Sequence, residues 1–356
     1  MKAALAITAA LVLASCGSPA PAAPTTWEGD GERITGPYVH ENVAVYLIHR
    51  AGADPQEYLA LDEALKSGAV QVTEKEQEQV AQLLVENRSE LPLFIQEGDR
   101  LQGGKQDRIV GISLVVPPKS GKVPVPAFCV EQGRWARGGH GVSFVNTSNS
   151  ALAGNAVRYA AKVQGSQYHV WERVAGQKAD LQRANAAPNT NSSLNEAIDS
   201  KAVMDAAAAC EKALGGLAAR HPDAMGAAFA VNGRIEEAVS YPGPALLRKV
   251  YGRLLGSYAI QAAADRKPGA APAPEAVAAF MREGAQKQKD ESREVDRDNW
   301  CRLAEYEKKA YCESRYRGKV VCAQWLATPE GVTAAPAPGN AVRGQTFQQV
   351  EEPRRP

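Results

Sequence analysis

Alternation of apolar and polar positions dominates the first half of the chain, and a helical period takes over in the second. Val43, Val45 and Leu47 share one face, which predicts a strand over 42–49. A short helical turn over 61–67 ends at Gly68, and a further strand covers 70–73. Apolar runs at 80–86 and 93–96 flank Asn87-Arg88-Ser89-Glu90, which reads as a hairpin. Two more runs, 109–116 and 123–130, are joined by a turn at Pro117–Gly121. Pro124 and Pro126 cannot donate ladder hydrogen bonds, so that strand is an edge or joins the sheet only after Ala127.

From residue 151 the pattern changes. Helices are expected over 151–164, 167–183 and, long and Ala-rich, 195–219, with a polar loop at 185–193. Asn232-Gly233 is a strong turn signal between strands 225–231 and 234–240. Pro244 opens a helix to about Asp265, whose Leu247, Val250, Tyr251, Leu254, Leu255 and Tyr258 form one apolar face. Residues 267–274 read as a linker, 275–298 as a charged helix with a solvated face, and 300–326 as a β meander. The class is α+β: a β-rich N-terminal half with antiparallel hairpins, a helical second half and a small C-terminal β meander. The pattern leaves open whether the sheet closes as a barrel.

The ends of the chain carry a different signal. Lys2 precedes a short apolar run, Ala3–Ala14, and Leu13-Ala14-Ser15-Cys16 matches the lipobox of bacterial lipoproteins. The expected organisation is a signal peptide (1–15), lipidated Cys16 with a Pro/Ala-rich tether (16–35), a main α+β domain (36–265), the charged helix and Cys-containing meander packed on it (266–327), and a disordered Pro-rich tail (328–356). Gly17 stands where Asp would signal inner-membrane retention. The expected location is therefore the cell envelope, lipid-anchored at the outer membrane and facing the periplasm.

Composition narrows the partners. A net charge of +1, from 41 basic and 40 acidic residues, implies no nucleic acid. Without Cys16, five cysteines remain: Cys129, Cys210, Cys301, Cys312 and Cys322. Cys129 and Cys210 fall in apolar segments and read as buried thiols. In the meander, turn spacing puts either Cys312 opposite Cys322 or Cys301 opposite Cys312, only one of which can form; an exported protein permits a disulfide, and three unpaired cysteines are the alternative. The five histidines are scattered, no metal-ligand spacing is present and no cofactor is implied.

The polar residues that a buried strand does not need lie between Gly98 and Trp135. Gly103-Gly104 allow close approach of a ligand to the backbone. Lys105 and Arg108 suit phosphate or carboxylate, Gln106 a hydroxyl, and Asp107 orients Arg108 or acts as a base. Glu131, Gln132 and Arg134 leave the end of a strand beside Trp135, a stacking platform, and Asn87 ends another strand. Asp99, Asp107 and Glu131 are the carboxylates available for general acid–base work. His140 stands in a Gly-rich loop nearby. The competing reading is a solvated turn, with Arg134 paired to Glu131 or Asp99 and Trp135 capping the core.

Several long strings carry a family resemblance: ENVAVYLIH (41–49), YLALDEALKSGAVQVTE (58–74), LLVENRSELPLFI (83–95), GGKQDRIV (103–110), VPVPAFCVEQGRW (123–135) and LLGSYAIQA (254–262). They resemble the ADP-ribosylglycohydrolase- and rhodanese-phosphatase-associated protein family over about 36–265, and more weakly in the meander. The resemblance implies a domain that handles ADP-ribose-like or other nucleotide-derived ligands, with no established reaction. Two departures stand out: Asp99 replaces a typical Glu after Gly, and the chain carries an export signal although ADP-ribose is a cytoplasmic metabolite. The expected activity is binding of a small anionic nucleotide- or sugar-phosphate-like ligand. The alternatives are a structural envelope lipoprotein and a carboxylate-dependent hydrolase.

Overall fold

The computed structural model describes residues 23–75, 81–131, 143–147, 150–184, 193–267, 269–282, 284 and 286–332. The expected signal peptide, Cys16, Gln132, Arg134, Trp135, His140 and the tail from 333 lie outside the described residues.

The fold is α+β, built on a nine-stranded antiparallel sheet. Its strand order is Thr25–Gly29, Glu32–His40, Val43–Arg50, Ala224–Val231, Arg234–Ser240, Lys319–Ala327, Lys309–Tyr316, Asn299–Tyr306 and Lys287–Glu294. Strands from both halves of the chain therefore share one sheet, and the meander continues it through the pairing of Glu237–Ser240 with Ala323–Leu326. The chain enters this sheet at Thr25, within the stretch expected to be tether, because Ile34 is fully buried and Trp27 packs beside it. The helix Pro244–Ala264 covers one face, where Tyr258 stacks on Phe229 with ring centroids 4.8 Å apart.

A second, six-stranded sheet orders Phe144–Asn146, Arg100–Gly103, Arg108–Val110, Lys122–Cys129, Gln82–Asn87 and Val70–Glu74. Its two outer strands meet at the Thr73–Ser143 bridge, so the sheet curls to closure there around an apolar interior. Pro124 and Pro126 sit in the Lys122–Cys129 strand facing away from its first partner: Ala127 N donates to Ala81, whereas Pro126 offers its carbonyl to Gly111 N on the other side. Both prolines thus occupy edge positions, and the Arg108–Val110 strand joins from Ala127 onward.

Several expectations are corrected. Runs 80–86 and 93–96 form no hairpin: Leu93–Ile95 joins a separate three-stranded sheet with Leu114–Val116 and Leu59–Ala60. The cause is Asn87, whose Nδ2 donates to the carbonyls of Leu91, Val116 and Pro117 and holds the chain open between the sheets. The run 109–116 breaks at Gly111, where a Cβ would meet the Phe128 ring at 2.8 Å. The helix expected over 151–164 begins at Asn155 and becomes a π-helix at Ala160. The helix over 195–219 is three helices, divided by Asp199-Ser200 and Gly215-Gly216. The charged helix 275–298 is a short helix, Pro274–Met281, followed by the strand Lys287–Glu294. That strand forms a sheet edge, where its charges stay in solvent and discourage further pairing. Neither proposed cysteine pair is opposed: Cys312 lies across from Leu303 and Gln324, Cys322 from Ser314, and all three meander cysteines are free and buried.

Candidate functional site

Gln96–Arg100 forms a tight turn that aims two carboxylates in different directions. Gly98 takes φ +80° and lies under the Arg158 side chain, whose Cγ would be 2.8 Å from a Cβ there. Only glycine meets both demands. Glu97 points to one side of this turn and Asp99 to the other.

On the Glu97 side lies a closed network. Arg158, with no exposed surface, donates to Glu97 through Nε and Nη2 and to Glu237 through Nη1 and Nη2 at 2.9 and 2.8 Å. Tyr258 donates to Glu237 at 2.5 Å, and Gln324 Nε2 donates to both carboxylates. Lys162 donates to Gln324 Oε1. Two acids thus meet two cations, and the charges cancel within the protein. Burial alone would raise the Glu97 pKa, but Arg158 and Lys162 hold it down at about 2.

On the Asp99 side the balance is incomplete. Asp99 accepts from Gln96 N at 3.0 Å and from Arg253 Nη1. Arg253 is 4% exposed, yet its Nε and Nη2 have no hydrogen-bond partner among the described residues. The Asp62 carboxylate is 3.8 Å from Nε, beyond hydrogen-bond reach. Leu61, Asp62, Asp99, Arg100, Asn146, Thr147, Ser150 and Arg253 line a narrow cleft of about 10 Å³, room for about one water molecule. Burial, aided by the nearby Asp62 charge, outweighs Arg253 and pushes the Asp99 carboxyl up to about 6.

The residues of the GGKQDR segment come together on the far end of the same strand. Asp107 Oδ1 accepts from Gly103 N at 3.0 Å and Oδ2 from Asn195 at 2.9 Å, while its own N–H reaches Glu131 at 3.0 Å. Glu74 takes the Lys105 N–H at 2.8 Å and pairs with Arg108 at 3.4 Å. Arg108 also donates to the Gln106 carbonyl at 2.8 Å. Gly104 takes φ +61° against the Glu74 carboxylate, which leaves no room for a Cβ. Gln106, Asp107, Arg108 and Glu131 are all buried. Asn87 lies apart from this group, in the loop it braces. Arg100 joins the two ends: it donates to Asn195 at 3.0 Å, Asp199 at 2.8 Å and the Ala151 carbonyl at 2.8 Å, and Asn195 passes the link to Asp107.

Glu97, Arg158, Lys162, Glu237, Arg253 and Gln324 were not among the residues singled out by sequence. Their signal was a charge on an otherwise apolar face, as in AVRYAAKV and RIEEAVS. A family model, the ARG and Rhodanese-Phosphatase-superfamily-associated Protein domain, matches residues 31–325. The chain belongs to this family. No curated protein and no solved structure gives a significant match. The family match takes in every described strand but Thr25–Gly29 and stops two residues before the end of Lys319–Ala327, so the turn at Gln96–Arg100 and the cleft at Arg253 both fall inside the family domain.

Proposed function

We propose that this family domain is carried by a lipid-tethered envelope protein and binds a small anionic, hydroxyl-bearing ligand of the sugar-phosphate or nucleotide class. The reading rests above all on Arg253: a buried guanidinium with unused donors lining a cleft calls for an acceptor. Thr147, Ser150 and Asn146 supply hydroxyl and amide groups at its rim, and Asp62 and Asp99 accept from ligand hydroxyls. Ligand pockets typically measure about 300–1,000 Å³. The cleft itself holds about 10 Å³, the space of about one water molecule, so only the tip of an anionic group reaches Arg253 and the rest of the ligand lies outside it. In this proposal the GGKQDR segment is the support behind the cleft, acting through Arg100 and Asn195.

The test is a thermal-shift titration of the full chain with inorganic phosphate, ribose 5-phosphate and ADP-ribose. Stabilisation by at least one of them, abolished in Arg253→Ala but retained in Arg108→Ala, supports the cleft. No stabilisation by any of the three overturns it and leaves the structural reading, to which the self-compensated Glu97–Arg158–Glu237 network belongs. Membrane release of a Cys16→Ser variant tests the tether separately.

A further inference from the structure

The outer face of the nine-stranded sheet, opposite the Pro244–Ala264 helix, is floored by small residues at its centre. Gly226, Ser240 and Ala323 are successive partners across three strands, and Ala228, Ala238 and Trp325 follow in the next row. Above Ala238, Ser240 and Ala323 opens a cleft of about 290 Å³, at the lower edge of the range of about 300–1,000 Å³ usual for small-molecule sites. Tyr311 and Trp325, with ring centroids 4.5 Å apart, line one part of it. Arg50 and Glu32, a cross-strand pair, line another.

The cations around the cleft differ in what they already hold. Lys309, 4.8 Å over the Trp325 ring, donates to the carbonyls of Phe280 and Arg282 at 2.6 Å each. Arg302 makes a two-point contact with Asp290 at 3.0 and 2.9 Å. Arg50 is the exception. Its Nε is buried without a hydrogen-bond partner among the described residues, and the nearest carboxylate oxygen, on Glu32, is 3.7 Å away. A guanidinium with an unpartnered Nε lines the same space as an aromatic wall and a floor of small side chains.

We propose that this cleft is a second ligand site, which takes a planar ring bearing an anionic group. The ring lies over Ala238, Ser240 and Ala323 against Tyr311 and Trp325, and the anion meets Arg50. The Asp99–Arg253 cleft has no aromatic side chain in its lining, so the two sites differ in chemistry and their failures are separable.

Phenyl phosphate, cyclohexyl phosphate and inorganic phosphate are the probes, read by tryptophan fluorescence of the full chain. Phenyl phosphate is expected to quench saturably, to bind at least threefold more tightly than cyclohexyl phosphate, and to lose the quench in Trp325→Phe. Arg50→Ala and, by filling the floor, Ala323→Leu each weaken it at least tenfold, while Arg253→Ala leaves it unchanged. Far-UV circular dichroism checks each fold; should Arg50→Ala unfold, Ala323→Leu carries the comparison. Absence of saturable quenching, equal affinity for inorganic phosphate, or undiminished binding in the folded variants overturns the proposal.

Discussion

Arg158 straddles the Glu97 carboxylate, its Nε standing 3.1 and 3.2 Å from the two oxygens, in a region of the protein with no solvent contact. Sixty-one residues separate the two in sequence. The same guanidinium reaches Glu237, so it ties the Gln96–Arg100 turn, a helix and the central sheet together.

Removing that guanidinium leaves two buried carboxylates facing each other. Truncating one partner of a buried ion pair costs about 3–5 kcal/mol. Arg158→Met is therefore expected to lower the unfolding free energy by about that amount, measured by urea denaturation. Glu97→Gln keeps Glu237 as counter-ion for Arg158 and should cost less. Equal losses from the two would show that Glu237 alone does not compensate Arg158 once Glu97 is neutral.

Asp99 gives a pH dependence of defined sign. Its carboxyl is raised by burial to about 6, against an ordinary value of 3.8, so the folded state binds the proton more tightly than the unfolded chain. That contribution is full below about pH 4 and is lost as pH rises through about 6. The rise from 3.8 to about 6 corresponds to about 3 kcal/mol. The stability difference between wild type and Asp99→Asn should therefore move against the wild type by up to that amount between pH 4 and pH 7. A flat difference would mean that Arg253 fully neutralises Asp99. Protonating Asp99 also frees Arg253, so sulfate, which does not titrate in this range, should bind more tightly at pH 5.5 than at pH 7.5.

Asn299 joins the nine-stranded sheet to the three-stranded one. Its Oδ1 accepts from Val115 N at 2.9 Å and its Nδ2 donates to Val115 O at 2.8 Å, imitating a strand partner for a residue beside the meander. Asn299→Ala strands a buried N–H and a buried C=O, each worth about 1–3 kcal/mol. A loss of about 2 kcal/mol or more is expected, and amide exchange at Val115 should accelerate ahead of the Ala224–Val231 strand. Exchange that speeds up uniformly would mean that the contact matters only to global stability.

Sequence pattern located most of this architecture where the chain pairs locally. The Asn232-Gly233 hairpin and the helices at 167–183 and 244–264 lie where turn chemistry and apolar period put them. It failed where partners are distant. Lys287–Glu294 has the composition of a solvated helix, and only the Asn299–Tyr306 strand beside it makes it a strand. In the same way, Asp99 was legible as an unusual carboxylate, but Arg253 sits among apolar helix residues and acquires meaning only when the fold sets it against the Gln96–Arg100 turn. The charge excess of the GGKQDR segment was plain in sequence; that Glu74 and Asn195 answer it from 31 and 88 residues away was not.

The three meander cysteines offer a last contrast between spacing and register. Two-residue turns at 307–308 and 317–318, with a bulge after Ser314, shift the ladder so that Cys312 faces Gln324 and Cys322 faces Ser314. Burial pushes the Cys312 and Cys322 thiols up to about 12, despite the nearby Lys162, which keeps them protonated and unreactive. In a Cys16→Ser variant purified without reductant, Ellman's reagent should therefore titrate few thiols in the native protein and all five in denaturant. Recovery of only three in denaturant, rising to five after reduction, would reveal a disulfide and require the meander to shift its register. Recovery of five from the start places the thiols in the packing of the meander, where Cys312→Ser should destabilise the fold more than Cys312→Ala, because a serine hydroxyl there is buried against an apolar cluster.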